Sequence, residues 1–113
     1  MNWFVAKMIF QIEDKEMRYP QFDEQLRLIE AINEELALEM AYQMGAMHQE
    51  EVKSAKDEML KWKFIAVTEL THIGEISHGK EIHYQISEPE KVFTYLEMVK
   101  SKAEQLKNRK LAN

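Results

Sequence analysis

Residues 3–12, WFVAKMIFQI, and residues 61–70, KWKFIAVTEL, are the two stretches on which the fold turns. In the first, Phe4, Ala6, Met8, Phe10 and Ile12 alternate with Trp3, Val5, Lys7, Ile9 and Gln11, the two-residue period of a β-strand. In the second, Trp62, Phe64, Ala66 and Leu70 fall on one face and Ile65 and Val67 on the other. Each strand therefore carries apolar side chains on both of its faces. A single layer of helices covers only one side of a sheet, so the second side needs a cover of its own.

Between these strands the pattern changes twice. A polar stretch through Asp14, Lys15, Glu16 and Pro20 breaks the first alternation and predicts a flexible loop. Residues 22–31 resume it, with Phe22, Leu26 and Leu28 sharing a face, which predicts a second strand antiparallel to the first. Asn33 suits a helix N-cap, and Glu34 and Glu35 place negative charge beside the unpaired N–H groups of a first turn. Leu36, Ala37, Met40, Ala41 and Met44 follow one helical face, and Gly45 is the expected left-handed terminator. Residues 46–60 show no wide apolar stripe and predict a mobile connection with a turn or two of helix.

Downstream, residues 80–87 alternate Ile82, Tyr84 and Ile86 against Glu81, His83 and Gln85, the pattern of a fourth strand. A two-residue turn at His78 and Gly79 would put Ile82, Tyr84 and Ile86 on a face with Ile65, Val67 and Ile73, opposite Trp62 and Phe64. A bulge at Gly74 is one way to reconcile the two faces. Ser87 and Glu90 have capping-box spacing, Pro89 suits a first helical turn, and Val92, Tyr95, Leu96, Val99, Ala103 and Leu106 mark a long amphipathic helix. The expected fold is a single α+β domain over residues 1–113. It is a two-layer sandwich of a four-stranded, mainly antiparallel sheet and two helices, in the order ββαββα.

The chain's 113 residues suffice for one core, and its 45% hydrophobic and 31% charged residues are those of an ordinary globular protein. It has no cysteine, which excludes disulfides, thiol catalysis and cysteine-bound zinc and makes a reducing, cytoplasmic setting the expectation. The net charge of −5 divides unevenly: residues 100–110 hold five bases and one acid, and the rest of the chain is strongly acidic. An acidic body repels phosphate backbones, so no nucleic-acid partner is expected, and the basic end reads as a helix C-terminus complementing its dipole. Lys7 interrupts the N-terminal apolar run, no basic region precedes it, and no stretch approaches the length of a membrane span. Neither a signal peptide nor a membrane association is expected.

Chemistry-bearing motifs are sparse. His48, His72, His78 and His83 lack a three- or four-residue helical spacing, and no HExxH occurs; only His72 and His83 could meet, across the second hairpin. Asp23, Glu24 and Glu30, or Glu69 and Glu81, are the available carboxylate groupings, in a chain where acids are common enough to meet by chance. Met40, Met44 and Met47 recur on one helix face, where core packing is the simpler role. With three glycines and no P-loop, dinucleotide or nucleophile-elbow motif, the sequence assigns no catalytic residue, no cofactor and no metal.

The segments WFVAKMIF, PQFDEQLRLIEA, NEELALEMA and WKFIAVTEL together resemble a family of small bacterial proteins, domain of unknown function 4288. The resemblance implies a bacterial α+β protein and supplies no active-site residue. What the sequence points to is a surface: Trp3, Val5, Ile9, Ile65 and Val67 on the second faces of their strands. Leaving such side chains wet forgoes about 1.5–3 kcal/mol each. The preferred cover is a second copy in a homodimer, or another protein, which makes the chain a non-enzymatic dimerisation or protein-interaction module. The alternative is a small-ligand binder or enzyme with a cleft at a dimer seam, using His83 or Glu24 as its polar handle.

Overall fold

The structure, a computed structural model, describes residues 1–14, 20–53 and 59–109. Its elements are β1 (Asn2–Glu13), β2 (Gln21–Ala31), α1 (Glu34–Met47), β3 (Glu50–Lys53), β4 (Met59–Gly74) and α2 (Val92–Asn108). The chain divides into two compact units, Met1–Ile82 and His83–Asn113.

In the first unit the strands pair antiparallel in the order β2-β1-β4-β3, with β1 in the interior. The β1–β2 ladder runs without a slip from Asn2 opposite Ala31 to Ile12 opposite Gln21. The β1–β4 ladder slips three times, because Ile73, Thr68 and Ile65 are extra residues on the β4 side. Each extra residue reverses the inside–outside sense of the residues beyond it. Trp62 and Phe64 consequently face the same side as Val67 and Leu70, while Ala66 faces the other. The expected grouping of Ala66 with Phe64, and of Val67 with Ile65, is thus corrected by the extra residue Ile65, and the one at Thr68 returns Leu70 to the side of Phe64. The switch expected at Gly74 falls beside it, at Ile73, with Gly74 itself at φ 72°.

The expected sandwich is corrected as well. Three long antiparallel strands form the body of the sheet, in the order ββαβα with the two helices, and residues 80–87 form no strand. The remaining strand, β3, has four residues and lies where a connection was expected; residues 54–58 of that connection lie outside the described residues. Alternation is not enough to make a strand, which needs an edge with regularly spaced partners. The outer edge of β4 is bulged, and its start is already taken by β3.

The first unit's core lies between α1 and one side of the sheet. Phe4, Ala6, Met8 and Phe10 of β1 meet Ile29 and Ala31 of β2 and Ala37 and Ala41 of α1, all 3% exposed or less. Met44, Trp62, Phe64, Val67 and Leu70 pack against this cluster. Asn33 caps α1 as its residue type predicts, its Oδ1 accepting the Leu36 N–H at 2.8 Å. Gly45 does not end the helix, which continues to Met47 and closes with the His48 N–H donating to Met44 and Gly45 carbonyls. Its role is close approach: a Cβ there would run into the Phe64 ring. Ala37, Ala41 and Gly45 are the buried residues of α1, four apart, so a row of small residues lets the helix settle onto the aromatic floor. Phe64 in turn lies 5.5 Å from Phe10 and 5.7 Å from Tyr42, centroid to centroid.

In the second unit α2 begins at Val92, later than the capping-box spacing of Ser87 and Glu90 predicts, and Lys91 is its N-cap with no side-chain bond. Lys107 stands in its last turn, as the dipole favours. This unit's own residues leave the apolar row of Val92, Leu96, Val99 and Leu106 exposed.

Candidate functional site: the open side of the sheet

The side of the sheet away from α1 is built by the other parity of each strand. Along β1 it presents Trp3, Val5, Lys7, Ile9 and Gln11. The unslipped β1–β2 register sets Leu28 beside Val5, Leu26 beside Lys7, Glu24 beside Ile9 and Phe22 beside Gln11. On the β4 flank Thr71, Glu69 and Ala66 stand beside Val5, Lys7 and Ile9. Phe22, Leu26 and Leu28 are 59%, 58% and 49% exposed, and Trp3, Val5 and Ile9 are half-buried by their strand neighbours.

Lys7 sits in the middle of this apolar field. Its Nζ lies 3.3 Å from Glu69 Oε2 and 4.0 Å from Glu24 Oε2, so the one cation of the β1 row is balanced from both flanking strands. Its side chain is 25% exposed, the stem lying along apolar neighbours while the head reaches the two carboxylates. The pairs are solvent-screened and worth little to stability; they let a charge occupy the surface without a strong net field.

Of the residues singled out in the sequence, Trp3, Val5 and Ile9 lie together on this side. Ile65 is a bulge residue with about half its surface exposed, and Val67 lies opposite Met8 on the α1 side. Phe22, Leu26 and Leu28 were visible as a shared face of their strand but not as members of this surface. Their membership follows from the register that puts Leu28 beside Val5 and Ile29 beside Phe4.

The other groupings disperse. Asp23 and Glu24 point to opposite sides of β2; Glu24 and Glu69 are engaged by Lys7, and Glu30 stands opposite Trp3. His72 packs on Phe4 at 5.0 Å between centroids, and His48 ends α1. Since 80–87 is not a strand, the hairpin that was to bring His83 to His72 is absent. Among the described residues no three metal-ligating side chains come together. Met44 joins the core, whereas Met47 is exposed.

Two polar features remain. On the α1 side of β2, Arg27 donates from Nε and Nη2 to Gln25 Oε1 at 3.1 and 2.8 Å. Gln25 Nε2 donates to Asp23 Oδ2 at 2.7 Å, and Trp62 Nε1 reaches the same oxygen at 3.1 Å. This ladder satisfies the polar residues that border the core. At the β3–β4 end, Glu13, Gln49, Glu50, Lys61, Trp62 and Lys63 line an open cleft of about 460 Å³. Its lysines and glutamates alternate in sign, and the Trp62 indole N–H is already committed to Asp23.

Among the described residues no helix is long and apolar enough to cross a membrane. No curated protein and no solved structure matches the chain. Residues 3–84 match the family described as Domain of unknown function (DUF4288), and the chain belongs to that family. The matched span takes in β1 from Trp3 onward, β2, α1, β3 and β4, and with them the open side of the sheet.

Proposed function

We propose that this DUF4288 member is a non-enzymatic module that associates with a second copy of itself through surface the first unit leaves uncovered. The observation that carries the reading is the field of Trp3, Val5, Ile9, Phe22, Leu26 and Leu28 around the ion-paired Lys7. A cluster of exposed apolar side chains on one side of a sheet is the kind of surface that marks an interaction site. The acidic balance of the chain favours a protein partner over nucleic acid, the cysteine-free composition fits a reducing, cytoplasmic setting, and the family resemblance implies a bacterial one. The cleft beside Trp62 supports a second reading, small-ligand binding. It is the weaker one, because the cleft is open and lined by charges of both signs, Glu13 and Glu50 beside Lys61 and Lys63.

Size-exclusion chromatography with light scattering tests the first reading. Wild-type protein is expected at about twice 13.5 kDa at concentrations on the order of 100 μM, and Leu28→Lys at the monomer mass with an unchanged circular dichroism spectrum. A wild-type monomer under those conditions refutes self-association.

A further inference from the structure

The sheet has two edges, and they are treated differently. On the β4 side, β3 pairs with Met59, Leu60, Lys61 and Trp62, and the Gln49 side-chain oxygen accepts the Phe64 N–H at 3.0 Å. Beyond that point the strand carries its extra residues at 65, 68 and 73. Bulges and short covering strands are the devices by which natural edges avoid pairing with other chains. On the other side, β2 has eleven residues, no slip in its ladder, no glycine, proline or lysine, and among the described residues no outer partner. It also carries the most exposed apolar side chains of the sheet's open side.

We propose that β2 pairs antiparallel with β2 of a second copy about a two-fold axis passing through Gln25, which joins the two sheets edge to edge. Symmetry restricts the register. Opposed residues in an antiparallel pair point to the same side, so the axis must pass through a residue of β2 and not between two. An axis at Glu24 opposes Glu24 to itself. One at Arg27 opposes Arg27 to itself and Glu24 to Glu30, and one at Leu26 sets Phe22 against Glu30 and Leu28 against Glu24. An axis at Gln25 sets Asp23 against Arg27 twice and Phe22 against Leu28 twice, four favourable pairs that outnumber the two in which Glu24 meets Leu26. Opposite charges and apolar pairs directly across a strand pair are stabilising, and like charges are not. The groups are already on the correct side and in place. Arg27 leans along the strand onto neutral Gln25, two residues from Asp23, so pairing offers each guanidinium a carboxylate across the seam. The two open sides then form one continuous surface, with Phe22 and Leu28 at the seam and Trp3, Val5 and Ile9 one strand back from it.

This inference rests on the self-association proposed above and places it at the β2 edge, where Phe22, Leu26 and Leu28 meet the second copy while Trp3, Val5 and Ile9 stay one strand back, outside the seam. Because the chain has no cysteine, Gln25→Cys introduces a single thiol, placed on the axis beside its own copy. Mild oxidation is expected to convert most of it to a reducible dimer. Phe22→Cys, whose two copies would lie about 20 Å apart, is expected to give little. Asp23→Arg and Arg27→Asp should each weaken dimerisation by about tenfold or more, and the double exchange should restore it. A light-scattering dimer in which Gln25→Cys cross-links no better than Phe22→Cys, or in which Trp3→Ala dissociates the dimer and the charge exchange gives no rescue, overturns the edge geometry and leaves self-association standing. A monomeric wild type overturns both.

Discussion

Met8 and Phe10 are fully buried, while Lys7 and Ile9, their neighbours along β1, are only half-buried. The backbone is shared and the residue types overlap, so the difference comes from what lies over each side. Over one side α1 brings Ala37, Ala41 and Gly45 down onto the aromatic side chains; over the other, no described element of the first unit is laid. Hydrophobicity on the first side holds the unit together. On the second it contributes little to the fold of a single copy, and its worth depends on an encounter.

The sharpest way to break that contrast is a matched pair of truncations. Phe10→Ala removes a fully buried ring set against Phe64 and should cost about 3–5 kcal/mol in urea denaturation, whereas Ile9→Ala, one residue away, should cost less than about 1.5 kcal/mol. Equal losses would mean that both sides of β1 are core. Next in size is Gly45→Ala. On helix propensity alone it would gain about 1 kcal/mol, but the added Cβ meets the Phe64 ring, and a net loss of about 1–3 kcal/mol is expected. A gain would show that α1 does not press on the sheet there. Asn33→Ala, which releases the cap of the covering helix, should cost about 1 kcal/mol by the same measurement. The smallest effect belongs to the open side. Lys7→Met should stay within about 1 kcal/mol of wild type, because exposed ion pairs add little, and should leave the light-scattering mass of the dimer unchanged, because Lys7 lies one strand back from the β2 seam.

Much of this contrast was legible from residue order. The alternation of β1, its pairing with β2, and the start of α1 at Asn33 with Ala37, Ala41 and Met44 facing inward all follow from short-range patterns, and the structure has them. What was not legible depends on partners distant in sequence. A two-residue period assigns faces only while no residue is inserted, and of the insertions relative to β1, Ile65, Thr68 and Ile73, only the last has a local signal, the neighbouring Gly74. Strict alternation puts Val67 on the outer side, whereas it stands opposite Met8 on the α1 side. The EEVK segment of β3 carries no apolar alternation and becomes a strand because β4 offers it an edge, while residues 80–87 have the alternation and form none. Glycine is ambiguous in a similar way. At Gly45 the absent side chain serves close packing, and at Gly74 it serves a positive φ, and the sequence writes both with the same letter. For the surface, Trp3, Val5 and Ile9 could be read directly, whereas the contribution of Phe22, Leu26 and Leu28 needed the register of a second strand.

The interior position of β1 also bears on the order in which the chain assembles. Ile12 pairs with Gln21, about ten positions on, while Glu13 pairs with Lys61, nearly fifty positions on. Closing the longer loop costs roughly 1.5 kcal/mol more in chain entropy before any contact repays it. On loop closure alone the β1–β2 hairpin is expected to form first, with the docking of β4 and the sealing of Phe10 against Phe64 following as the non-local step. Until it happens, β1 exposes an unpaired edge of its own. In this chain the hazard of pairing with the wrong strand is greatest in the interval before β4 arrives.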